Sequence, residues 1–353
     1  MAAARTSSST FPAISSKQES SAKELGLPVT TSLVAVNGVE LVVHEAGDPA
    51  NPAIVLAHGF PDLAYCWRQQ MVPLAETGFH VIAPDQRGYG HSSAPADIAA
   101  YGIDQLSGDL FGLLDHYGHA DAVFVGHDWG AMLTWDAARI APERFRAVVA
   151  VSVPYLEWPA PPTELFKMIY GDRFFYISYF QQVGPPEAEL GADACNTMSR
   201  MLYNASGVGM VNRVRPSEQP PMEGTGFLSL MGDPPAPPYT GPEGQWLTQA
   251  DLDEYTREYE HSGFFGPISW YRNMDNNFVR MQGLGANLMT MPCYFITGEH
   301  DLVKLMDPNG ADRMQAQLPN FRGVTEIAGA GHWVQQETPQ AFNDALLGFL
   351  ATL

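Results

Sequence analysis

Five residues, Gly126-His127-Asp128-Trp129-Gly130, constrain this chain more than any other stretch. They sit between a short apolar run at 122–125 and a helical pattern at 131–139. A Gly-x-Asp-x-Gly step from strand to helix predicts a sharp elbow that lifts the central side chain above a sheet. The helix N-terminus behind it favours negative charge, so a carboxylate at the apex stays ionised and faces outward. Read alone, Asp128 also fits an ordinary helix N-cap.

Such an elbow needs a parallel sheet covered on both faces. The runs Ala53–Ala57, His80–Pro84, 122–125 and 146–153 are apolar apart from His80, Arg146 and Ser152, as strands buried on both sides tend to be. Helices are expected between them at 64–76, 105–117 and 131–139. The second carries Leu106, Leu110, Leu113 and Leu114 on one face. Ahead of them, 32–36 and 39–45 flank Asn37-Gly38, a strong hairpin signal. The alternation stops between residues 155 and 287. That segment holds helical pieces, many aromatics and a stretch, 216–244, with 8 Pro and 5 Gly in 29 residues. Such a stretch excludes a helix or a central strand. Strands return at 293–297 and 323–327, and helices at 311–317 and Pro339–Leu350. The expected organisation is an α/β core, 30–154 and 288–353, interrupted by a mainly helical lid, 155–287. Residues 1–29 are Ala/Ser/Thr-rich, with no acid before Glu19. They are expected to be a disordered tail, and an organellar transit peptide is the other reading.

Charge narrows the partners. There are 19 basic and 39 acidic side chains, a net charge of −20. A body this acidic repels phosphate backbones and anionic membranes. No apolar run reaches the ~18 residues of a membrane span. A cytoplasmic protein with no nucleic-acid or membrane partner is expected. Cys66, Cys195 and Cys293 are odd in number and far apart, which suggests neither a disulfide framework nor a zinc site. No phosphate- or dinucleotide-binding glycine motif is present, and no metal or cofactor is expected.

An ionised Asp128 needs no base to attack a saturated carbon that carries a leaving group. The alkyl ester so formed must then be cleaved by water, which calls for a general base and an oxyanion hole. His332, in the loop after 323–327, has the pKa range of a base, although a loop histidine can equally be a surface residue. Asp301, in Gly298-Glu299-His300-Asp301, can orient it, with Glu299 as a rival. The order Asp128, Asp301, His332 is the nucleophile–acid–base order that goes with an elbow. His58-Gly59-Phe60-Pro61 follows the strand whose loop donates one backbone N–H to the hole. The amides of Phe60 and Trp129 are the two expected donors. His58, Gly59, Pro61, Gly126 and Gly130 are read as shaping these turns, His127 as structural, and 85–90 as loop scaffolding.

These pieces resemble the α/β-hydrolase-fold epoxide hydrolases of the soluble, cytosolic type, especially actinobacterial ones. The resemblance rests on 58–61, 85–90, 126–130, 298–301 and 331–333, and on 176–181 and 262–273 within the lid. It covers roughly residues 35–350. It implies the α/β-hydrolase fold and cofactor-free conversion of small-molecule epoxides to vicinal diols; family members are often homodimers. It also implies that Tyr176 and Tyr271 bind the epoxide oxygen. A phenol suits that task because it stays protonated at neutral pH; Tyr179, three residues from Tyr176, competes for the role. Two other readings share the fold. A haloalkane dehalogenase would use the same Asp and His, but its halide calls for N–H donors, and the Phe60 side chain has none. A non-catalytic small-molecule binding protein is the third reading, against which the intact set of groups argues. The 216–244 stretch is a candidate wall for one end of a substrate tunnel.

Overall fold

The computed structural model describes residues 28–213 and 218–353. The expected tail lies outside the described residues except for Pro28 and Val29, as do Pro216 and Ser217 of the Pro/Gly-rich stretch. The strands are β1 (Thr30–Val36), β2 (Val39–Ala46), β3 (Ala53–Ala57), β4 (His80–Pro84), β5 (Ala122–His127), β6 (Phe145–Val151), β7 (Tyr239–Gly241), β8 (Gly244–Leu247), β9 (Cys293–Gly298) and β10 (Phe321–Ile327). Eight of them form one sheet in the order β1-β2-β4-β3-β5-β6-β9-β10, while β7 and β8 pair as a separate ribbon. β1 and β2 form the antiparallel hairpin, with Asn37 and Gly38 both at positive φ. β2 meets β4 antiparallel, and every pair from β4 to β10 is parallel.

The apolar runs are strands because both of their faces are covered. Val55, Phe124 and Val148 point to one face, under the helices Ile103–Tyr117 and Trp129–Ile140. Their neighbours Ile54, Leu56, Val123, Val125 and Val149 point to the other, beneath Trp67 and the helix Pro339–Leu350. The period of two in side-chain direction sorts one run into two cores.

One expected helix is broken. Residues 64–76 form a 3₁₀ turn, Ala64–Trp67, and a separate helix, Met71–Glu76. Pro73 explains the break. A continuous helix would need an N–H there, and proline has none; in the first turn of a new helix that N–H would be unpaired anyway. Arg68, at the break, donates to Gln336 Oε1 at 2.6 Å and to the Trp246 carbonyl at 2.8 Å.

Between β6 and β9 the chain leaves the sheet and forms helices, including Tyr176–Phe180, Ala194–Ala205, Gly207–Val211, Gln249–Ser262 and Phe265–Arg272. Among its described residues the Pro/Gly-rich stretch carries a β-bridge from Pro221 to Arg173, a 3₁₀ turn, Leu228–Leu230, and the short strand β7, with β8 beginning at Gly244. Among the described residues no helix is long and apolar enough to cross a membrane. The chain steps from β3 to β4 on one side and then crosses to β5 on the other. The carboxyl ends of β3 and β5 therefore flank the point where strand order reverses, which is where such sheets open a crevice.

Candidate active site

The loops at that crevice bring Phe60 and Asp128 together. Asp128 sits between β5 and the helix Trp129–Ile140 with φ 53° and ψ −119°. The strained residue of the elbow is thus Asp128 itself. The two glycines serve close approach rather than positive φ. A Cβ on Gly126 would lie 2.2 Å from the Gly130 carbonyl oxygen, and one on Gly130 would lie 2.1 Å from that of Ala57. Gly59 is needed for the same reason, since its Cβ would come within 2.4 Å of Asp128 Oδ1. The side chain of Asp128 does not cap its helix; its Oδ1 accepts the Phe60 N–H at 2.8 Å. Trp129 follows the bend, and its amide is not hydrogen-bonded to this carboxylate. Of the two expected amides, one is in contact.

The supporting loops are tightly tied. His58 Nε2 accepts the Gln86 N–H at 3.0 Å, and Asp85 Oδ1 accepts that of Ala64 at 2.8 Å. Arg87 in turn is bonded to Asp109 through Nε at 2.6 Å. The Phe60-Pro61 peptide is cis. His127 is fully buried and bonds the His332 carbonyl oxygen through Nε2 at 2.8 Å.

His332 and Asp301 come from the carboxyl ends of β10 and β9. The imidazole lies between two carboxylates, with Nδ1 3.1 Å from Asp301 Oδ1 and Nε2 3.5 Å from Asp128 Oδ2. Glu299 points elsewhere: its Oε2 accepts the Gly329 N–H at 2.9 Å and its side chain is largely exposed. Burial alone would lower the His332 pKa, but the charges and contacts of Asp301 and Asp128 push it up to about 10. Burial would also raise Asp128, yet His332, His127 and the Phe60 amide hold it below the ordinary carboxylate range. Asp301 is depressed too: His332, first by its charge, overcomes the burial penalty.

A cavity of about 730 Å³ opens above Asp128, within the usual range for small-ligand sites. Its lining includes Asp128, Trp129, Leu133, Tyr176, Tyr271 and Met274. Several of its lining residues are exposed, among them Glu157, Ile169, Gln282 and Met306. The Tyr176 and Tyr271 rings are 6.0 Å apart, edge to face. Burial, then the nearby Asp128 charge, raises the Tyr176 phenol above its ordinary pKa; burial, then Tyr176 and Asp128, does the same for Tyr271. Both are held as O–H donors. Tyr179 is not in the lining and packs on Phe174 instead. Nor do residues 218–244 wall the cavity: Phe227 backs the Tyr176 ring at 5.6 Å from outside it.

One buried group had no signal of its own. Glu337 opens no motif and precedes Thr338-Pro339, so it reads as part of a helix start. Its carboxylate accepts backbone N–H groups from Gly207, Gly331 and Trp333. Among the described residues there is no cluster of metal-ligating side chains.

A carboxylate at a strand–helix elbow, with a histidine and a second acid on neighbouring strands, defines a hydrolase of the α/β-hydrolase class. Residues 52–182 match the family described as the alpha/beta hydrolase fold. Over 330 residues the chain is 43% identical to epoxide hydrolase A of Mycobacterium tuberculosis, covering 93% of this chain and 99% of that one. It is 36% identical to an epoxide hydrolase of Caballeronia sordidicola, covering 91% and 93%. The crystal structure of epoxide hydrolase A from Mycobacterium thermoresistibile superposes with a TM-score of 0.82 at 42% identity, over 92% of this chain and 98% of that one. The chain belongs to the epoxide hydrolases.

Proposed function

We propose that this epoxide hydrolase works through a covalent ester on Asp128, and that 155–287 acts as its lid. The carrying observation is the row Asp301–His332–Asp128 beneath a cavity that also holds Tyr176 and Tyr271. Asp128 Oδ1 is held by the Phe60 amide, so it is the oxygen placed to carry negative charge later. Oδ2 is then the attacking atom. It bonds to an epoxide carbon, the ring C–O bond breaks, and the released oxygen takes a proton from Tyr176 or Tyr271. In the second step His332 removes a proton from water, and the hydroxide adds to Asp128 Cγ. The Phe60 amide, with that of Trp129 as second donor, stabilises the oxyanion. The tetrahedral adduct collapses, breaking the bond to the alkyl oxygen. That oxygen takes the proton from His332, the diol leaves, and the proton remaining on the Asp128 carboxyl passes to the tyrosine phenolate left by ring opening, so both groups return to their starting states. The free cysteines suit a reducing compartment, and we place the enzyme in the cytoplasm.

The two steps need opposite charge states. At neutral pH the resting His332 is an imidazolium and cannot accept a proton. Ester formation removes one of the two negative charges beside it, so its pKa falls only when the base is needed. Alkylation requires ionised Asp128, whose depressed pKa keeps it charged in mild acid. Hydrolysis requires neutral His332 and gains with rising pH. The ester is therefore expected to make up more of the enzyme at about pH 5.5 than at about pH 8.5 during turnover. Rapid quench and intact-mass measurement would read this; an ester fraction that rises with pH would refute the assignment.

The reading itself is tested with His332→Gln, exposed separately to styrene oxide and 1-bromobutane. A lasting mass gain equal to the whole epoxide, absent when Asp128 is also changed to Ala, is the expected result. An alkyl adduct from bromobutane alone would indicate halide displacement. Folded protein with no adduct from either would overturn the covalent mechanism.

A further inference from the structure

The His332 ring is oriented by Asp301, but its backbone is held by something the two-step chemistry does not use. Glu337 is about 1% exposed. Its Oε1 accepts the N–H of Gly331 at 3.1 Å and of Trp333 at 3.2 Å, the residues on either side of His332. Its Oε2 accepts the N–H of Gly207 at 2.8 Å, the first residue of the helix Gly207–Val211 in the inserted segment. The His332 N–H itself donates to the Ala205 carbonyl of that segment at 2.9 Å. The packing there is as tight as glycine allows. A Cβ on Gly331 would meet the Gly207 nitrogen at 2.2 Å, and one on Gly207 would meet the Gly329 oxygen at 2.1 Å.

We infer that Glu337 is a positioning residue for the hydrolytic half-reaction: its carboxylate locks the loop carrying His332 to the inserted segment, so that the base sits over the ester. A buried carboxylate is costly unless its oxygens are fully hydrogen-bonded. Here peptide N–H groups do that work, and burial still pushes the carboxyl up to about 7. Among the described residues no other acidic side chain bonds the amides on both sides of His332. A glutamine would fit the same space but keep one acceptor oxygen and turn an NH₂ against a peptide N–H. A displaced loop moves the imidazole relative to the ester, and about 1 Å of misplacement can cost on the order of 10²-fold in rate. Alkylation does not use His332 as a base, so the loss falls on one step.

This inference rests on the covalent mechanism above, and the experiment separates the two. Wild type, Glu337→Gln, Glu337→Asp and, as reference, His332→Gln are mixed with styrene oxide in single-turnover rapid quench. Ester formation and ester decay are followed by intact mass, with thermal unfolding in parallel. Expected for Glu337→Gln is ester decay slowed at least about tenfold with formation within about threefold of wild type. Glu337→Asp, which keeps the charge on a shorter arm, should recover part of the decay rate even if Glu337→Gln folds poorly. Equal slowing of both steps in both variants would assign Glu337 a purely structural role and overturn the inference. So would ester decay at the wild-type rate while His332→Gln retains its ester. If His332→Gln accumulates no ester, the covalent mechanism fails and takes this inference with it.

Discussion

Asp128→Ala is expected to lower diol formation by on the order of 10⁴-fold or more, the scale seen when a covalent catalyst loses its nucleophile. The reason lies in the geometry. Asp128 lines the cavity, and its Oδ2 is the carboxylate oxygen beside the base. Asp301 is fully buried behind the imidazole and cannot reach an epoxide carbon. The Asp128 side chain is partly exposed, so the fold should survive its loss, and unchanged thermal unfolding would show that it does. Steady-state assay with styrene oxide would check the loss. Retention of more than about 1% of wild-type activity by folded protein would mean that water attacks the epoxide directly, with His332 as its base.

The second large effect concerns the epoxide oxygen. Tyr176→Phe and Tyr271→Phe should each slow ring opening by about 10²-fold, and the double variant should nearly abolish it. Each phenyl keeps the packing, since both rings sit edge-to-face in one aromatic group. Only the O–H is lost. The two phenols act on one atom, so their effects are not expected to add as independent terms. Both are pushed above the ordinary phenol pKa, so the defect should be flat across neutral pH. The rate of ester formation in single turnover is the measurement. Full activity in both single variants would remove the phenols from the mechanism.

Much of this was legible without coordinates, for identifiable reasons. β3, β4, β5 and β6 announce themselves because strands buried on both faces tolerate few polar residues. The elbow reads clearly because glycine is the one residue whose absent Cβ lets β5, the helix Trp129–Ile140 and the end of β3 touch. Asp301 reads as the orienting acid with Glu299 as its rival, since two acids in one loop differ only in where the chain turns them. Tyr176 and Tyr179 lie three apart in a five-residue helix, and only packing decides which meets the cavity. The break at 64–76 follows from Pro73, whose missing donor suits the first turn of a new helix better than the middle of a long one. Glu337 left no pattern because its partners are peptide groups, which every residue but proline carries.

The seam between the base loop and the inserted segment also bears on traffic. Separating the two would break the Glu337–Gly207 and His332–Ala205 hydrogen bonds together and strand a buried carboxylate. A molecule that opened there to admit each substrate would disarm its own base at every cycle. A seam kept shut leaves passage to the exposed parts of the cavity lining, which include Glu157, Ile169, Gln282 and Met306. Traffic and catalysis would then use different parts of the inserted segment: one stays fixed to hold the base, the other borders solvent.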